Sequence, residues 1–212
     1  MRVSTVNHRM AALLLAAAAV VTSACGEVAR TGRSPAYLQI VNLEAASGAE
    51  PDKFSNQLFS DVVTIVKDAD QNKVATIFAD AGRAEFKVGL KDPGPTGAPT
   101  TPSSLNAITL SQYRVVFKRS DGRNTQGVDV PYAFDGGMTV TVPSAGSVQG
   151  VFALVRPQAK EEAPLRALAV QNQANLISTV AEITFYGKDQ TGNDVQVTGM
   201  ISVNFGNFGD PQ

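Results

Sequence analysis

Tryptophan is absent from the 212-residue chain, and cysteine and histidine occur once each, as Cys25 and His8. One cysteine excludes an intrachain disulfide. A zinc site of the Cys/His type needs several such ligands and cannot be assembled. Long apolar runs are also missing. The longest, Met10 to Val21, has 12 residues, whereas a helix crossing a bilayer takes roughly 20. Neither sign of charge dominates: 18 Lys and Arg face 19 Asp and Glu, a formal net charge of −1. That is not the basic footprint of a nucleic-acid binder. Several catalytic signatures are lacking too. There is no G-x-S-x-G and no S-x-x-K, no G-x-x-x-x-G-K-[ST] phosphate cradle, and no G-x-G-x-x-G after a strand. Chemistry built on two carboxylates remains open to the composition.

Hydrophobic residues make up 43% of the chain, enough to build a core. The first 24 residues differ from the rest. Arg2, His8 and Arg9 make a positive start, "MAALLLAAAAVV" follows, and Thr22, Ser23 and Ala24 are small. This three-part layout is that of a secretory signal peptide over residues 1–24. "TSAC" then resembles a bacterial lipobox. Ser23, Ala24 and Cys25 fit its small residues before a cysteine, while Thr22 stands where an aliphatic residue is more usual. The resemblance implies that Cys25 carries diacylglycerol on its sulfur, becomes the new N-terminus and is acylated there. Two or more acyl chains hold stably to a membrane, at about 0.8 kcal/mol per buried CH₂.

Cleavage before Cys25 leaves 212 − 24 = 188 residues. His8, Arg2 and Arg9 go with the signal, so 18 − 2 = 16 basic groups face 19 acidic ones, a balance of −3. Without histidine there is no Ser-His-Asp triad and no Cys-His pair. Residues 25–35, with the polar "GEVARTGRSP" after the cysteine, read as a lipidated tether. Ten extended residues span roughly 33–36 Å.

Residues 36–208 read as one β-sandwich domain of short strands broken by turns. "YLQIVNL" is a first strand, "DVVTIV" and "VATIF" are partners, and "AEFKVGL" and "MTVTV" alternate. Four prolines in "KDPGPTGAPTTPSS" make residues 91–104 a long loop. "YRVVFKR" is a further strand, and "GVFALV", apolar on both faces, is expected at the centre of a sheet. "KEEAPLRAL" allows one short helix with Pro164 in its first turn. "TVAEITFYG" and "DVQVTGMISVNF" flank "KDQTGN" as a β-hairpin. With Asp189, Gly192 and Asn193 in its turn, this hairpin resembles the closing strand pair of bacterial immunoglobulin-like domains. The expected fold is therefore all-β, a mainly antiparallel immunoglobulin-like β-sandwich after an N-terminal signal helix.

Four places invite a site. Asp68-x-Asp70-x-Asn72 starts like a calcium loop, but Lys73 and Ala79 stand where an EF-hand needs glycine and glutamate. A solvated turn is the plainer reading. In "VPYAFDGG", Tyr132, Phe134 and Asp135 form a candidate ligand loop for a sugar or peptide, with one aromatic plugging the end of the sandwich as the alternative. Arg114, Lys118 and Arg119 read as charges that keep a strand edge from aggregating. Glu161 and Glu162 are neighbours that point apart on an extended segment. Together these features predict a non-catalytic binding or structural module, with no cofactor and no metal. It would be lipid-anchored through Cys25 in the cell membrane or outer membrane, on the extracytoplasmic side. Its partner would be an unidentified envelope protein, not nucleic acid. Alternatives are a ligand- or calcium-binding module and a carboxylate-based hydrolase.

Overall fold

A computed structural model describes residues 32–170 and 175–208. Cys25, the signal segment and most of the tether lie outside the described residues. The main strands are β1 (Ala36–Ala46), β2 (Gln57–Asp61), β5 (Asp80–Leu90), β6 (Ile108–Lys118), β7 (Phe134–Val142), β8 (Ser147–Val155), β9 (Ile177–Asp189) and β10 (Asp194–Gly206). Between β2 and β5 sits a small hairpin, β3 (Thr64–Lys67) with β4 (Lys73–Thr76). Two short helices, α1 (Pro157–Glu161) and α2 (Arg166–Val170), follow β8.

The strands make a three-stranded sheet, β1-β5-β8, and a five-stranded sheet, β2-β10-β9-β6-β7. All pairings are antiparallel except β10 with β2. The protein is thus an all-β, mainly antiparallel sandwich. Its strand order follows the immunoglobulin-like plan: β1, β5 and β8 take the places of strands A, B and E, and β10, β9 and β6 those of G, F and C. β7 adds a strand beside β6. Only residues 143–146 join β7 to β8, so among the described residues no strand takes the fourth place, beside β8.

Alternation drives the layering. Ala181, Ile183 and Phe185 of β9 are fully buried, and Ile201, Val203 and Phe205 of β10 face the same core. Antibody domains join their B and F strands by a disulfide beneath a strand-C tryptophan. Here Phe86 of β5 meets Phe185 of β9 edge-on at 4.8 Å, and Phe152 meets Phe185 at 5.2 Å. Tyr113 of β6 lies 5.2 Å from Phe152. Aromatic packing supplies the cross-sheet link that a chain with one cysteine cannot make covalently.

Three expectations change. "GVFALV" lies on an edge strand, and its Val151 is 63% exposed. Its apolar outer face is uncovered, which the sequence pattern cannot distinguish from central burial. Arg114 and Lys118 lie on β6, an interior strand, so they guard no edge. They pair instead with Asp135 and Glu182 at 3.1 and 2.7 Å, and Arg119 beyond the strand pairs with Asp121. The single helix is two, and the proline in a first turn is Pro157, with Pro164 between the helices.

Register fixes the two ends. Ala36 lies opposite Leu90, Ser147 opposite Lys87, and Ile108 opposite both Asp189 and Val142. The chain therefore enters at the end that holds the β9–β10 turn. Ser34 is buried there and hydrogen-bonds Asp189. Burial alone would raise the Asp189 carboxyl. Hydrogen bonds from Asn193, Thr191 and Ser34 outweigh it and hold the group well below the usual carboxylate range. A depressed carboxyl stabilises the fold above its unfolded value, about 3.9, and that contribution is lost as pH falls toward the folded value. Asp189→Asn should therefore be less stable than the native chain at pH 7. The difference should shrink steadily below about pH 4, as read by urea melts across pH. A constant difference would contradict the assignment.

Candidate functional site

The opposite end of the sandwich carries Lys160, the most unusual side chain of the core. A helix as short as α1 does not hold itself in water. Pro157 presets its first turn, and Lys160 turns inward. The lysine is 1% exposed, and its Nζ donates to Asp80 Oδ1 at 2.9 Å and to the Asp61 carbonyl at 2.8 Å. Asp80 opens β5 and is fully buried. It also accepts from the Gly48 N–H at 2.9 Å and the Ser60 hydroxyl at 2.6 Å. Burial pushes its carboxyl up, against the pull of the Lys160 charge and of the hydrogen bonds from Ser60, Gly48 and Lys160. Nearby, Asp61 accepts from Thr64 Oγ1 at 2.8 Å and from the Phe208 N–H at 3.1 Å. Leu165 and Leu168 complete the attachment by entering the core.

This clamp leaves the other side of the helical segment facing outward. Glu161, Glu162, Ala163, Arg166 and Ala167 form one wall of an open groove of about 720 Å³. Gly127 and Tyr132 form the other. Tyr132 is 53% exposed, and its ring lies against Gly127, whose φ of +76° suits glycine. The loop that carries Gly127 is stiffened by Asp121. Its carboxylate sits between Arg119 and Arg123 at 2.7 and 2.9 Å, and the Arg119 hydrogen bond holds it well below the usual range. Asn124 Oδ1 accepts from the Arg119 N–H, and Gln126 Oε1 from the Ala133 N–H. A smaller groove, lined by Lys160, Glu161, Arg166, Val63 and Ile77, adjoins the first.

The candidate ligand loop is divided by the fold. Tyr132 faces the groove. Phe134, the first residue of β7, is buried against Tyr113 and covered by the Arg156 guanidinium at 4.1 Å. Asp135 lies on the outer face of the sheet in its ion pair with Arg114. Glu161 and Glu162 both line the groove, Glu161 as the last residue of α1 and Glu162 as the extended residue that caps it. Both stand on the helical wall of the groove. Asp68 uses its carboxylate on its own turn, accepting from the backbone of Asp70 and Asn72 at 2.9 and 2.8 Å. Among the described residues no cluster of His, Cys, Asp or Glu is fit to hold a metal ion. Nor is any described helix long and apolar enough to cross a membrane.

Sequence reasoning missed the Lys160–Asp80 clamp, and it found a helix in "KEEAPLRAL" without its place on the groove. The clamp's partners lie 80 residues apart, and nothing in "PQAKEE" marks its lysine as buried. No protein-family model matches the chain, and no curated protein matches it.

Breaking the clamp from one side leaves a buried charge without its partner, which costs about 3–5 kcal/mol. Lys160→Met should lower unfolding free energy by about that amount. Lys160→Met with Asp80→Asn should recover a large part of it. A double variant no more stable than the single one would show that the charge is not what the clamp compensates.

Proposed function

We propose that this protein is a lipid-anchored module of the bacterial cell envelope that binds a partner without catalysing a reaction. Its anchor is Cys25, in the cell membrane or outer membrane, and its binding surface is the groove beside Tyr132. The observation that carries this reading is the opposition of the two ends. The chain enters the sandwich at the β9–β10 turn, and the groove lies at the other end of strands of 11 residues. At about 3.3 Å per residue that is on the order of 35 Å, so an anchored domain would hold the groove away from its membrane. The tether before Ala36 adds reach. Tyr132 supports the binding role, because a half-exposed aromatic over a stiff loop adds contact area at little cost in order. The partner would be an envelope protein, and no cofactor is required.

Two measurements test the reading. Mass spectrometry of protein extracted from native membranes should find an N-terminus at Cys25 carrying acyl chains, with Cys25→Ala released from the membrane fraction. An unmodified Cys25 in membrane-bound protein would sink the anchor. A photo-crosslinking residue at Tyr132 should capture an envelope protein that the same residue at Gln196, on the outer sheet face, does not. Glu161→Ala placed beside that crosslinker should weaken capture by about tenfold, the equivalent of roughly 1.4 kcal/mol. Equal capture at both positions would remove the groove from the proposal.

A further inference from the structure

A strand at the border of a sheet offers unpaired N–H and C=O groups, and proteins guard such borders with charge, proline, bulges or shortness. Three of the four borders of the two main sheets are guarded. β1 is bulged at Val41 and carries Glu44. β2 has five residues and ends in Asp61. β7 carries Asp135, and its ladder to β6 is interrupted between Leu110 and Gln112. β8, "SVQGVFALV", has no charge and no proline, and its one irregularity lies at its end, near Leu154.

The sense of the open border follows from one hydrogen bond. The Ala153 N–H donates to the Tyr113 hydroxyl at 3.2 Å and so points away from β5. In an antiparallel ladder every second residue shares that sense. Ser147, Gln149 and Val151 therefore turn their backbone groups to the open side, and all three have exposed side chains on the outer face. This is the place of the fourth strand, which none of the described residues fills.

We propose that β8 pairs antiparallel with β8 of a second copy of this chain, about a two-fold axis at Gln149, joining the two three-stranded sheets into one. A two-fold contact must be its own complement, and most strands fail this because like charges meet. β8 carries none. Centred on Gln149, the ladder sets Ser147 of each copy opposite Val151 of the other and covers both exposed valines. The Gln149 amide donates and accepts, so it matches its own copy across the axis. Glu85, the neighbour of Gln149 on β5, lies three strand spacings from its mate. That is about 14 Å, beyond a Debye length of about 8 Å. Centring on Val151 instead would claim the Ala153 N–H that Tyr113 holds.

The test uses the full chain in detergent and in native membranes. Light scattering of the native chain across a concentration series should reveal a dimer, and Val151→Lys should raise its dissociation constant at least tenfold. Circular dichroism and thermal melts of that variant should match the native chain, which separates lost pairing from lost folding. Gln149→Cys should form a crosslinked dimer under mild oxidation, whereas Gln196→Cys should not. A native chain that stays monomeric throughout overturns the proposal. So does a dimer untouched by Val151→Lys, or one that Gln149→Cys fails to link, either of which would assign the contact to another surface. Copies joined this way run in opposite directions, so a paired domain lies with its strands along the membrane whereas a single anchored one stands end-on; lipidation is read at Cys25 and pairing at Gln149 and Val151, so the anchor and the pairing fail separately.

Discussion

The buried contact between Lys160 and Asp80 holds one end of this sandwich together. It ties the segment after β8 to the start of β5 and, through the Asp61 carbonyl, to the end of β2. These elements belong to different sheets. Taking an ammonium and a carboxylate out of water costs several kcal/mol for each. That cost is offset only because every neighbour is in place: Ser60, Gly48 and the Asp61 carbonyl. No buried side-chain polar atom among the described residues lacks a partner. Such a contact adds little to stability compared with an apolar core of the same shape. Both charges are satisfied together in this arrangement, with all of these partners in place. The groove wall of Glu161, Glu162 and Arg166 inherits its position from that arrangement.

The other end relies on different physics. The aromatic cluster of Phe86, Phe185, Phe152 and Tyr113 crosses between the sheets in the middle of the domain. At the β9–β10 turn, Asp189 gathers the backbone and side chains of Thr191 and Asn193. Dispersion and burial thus hold the centre, local hydrogen bonding the turn, and long-range charge the groove end.

The strands were legible because their period is local. Alternation along "AEITF" and "VQVTGMISVNF" assigns inner and outer faces without knowledge of any partner, and Asp189 and Gly192 announce their turn. Edge or centre is a different matter. "GVFALV" looks central by composition, yet its place at a border depends on a four-residue connection that leaves no room for another strand. The site was less legible still. Phe134 and Asp135 are neighbours on β7 and take opposite faces, while Tyr132 lies before the strand begins, so a contiguous motif was scattered into core, surface and groove. Lys160 was hidden for the opposite reason. Its partners come from distant segments, and a lysine in a polar stretch carries no local sign of burial.

Ser34 and Asp189 have a mechanical consequence. A pull on the N-terminal segment reaches the fold first where Ser34 meets Asp189 and where Lys91 donates to the Pro35 carbonyl. Behind these lies β1, paired along its length with β5 in an antiparallel ladder whose bonds stand across the strand. Force applied along β1 must therefore shear many of those bonds together, and cannot open them one at a time as it would in a peeling strand. Under a pull along its axis β1 is the strap that carries the force, and the short contacts at its foot are a first latch that yields before the sheet does.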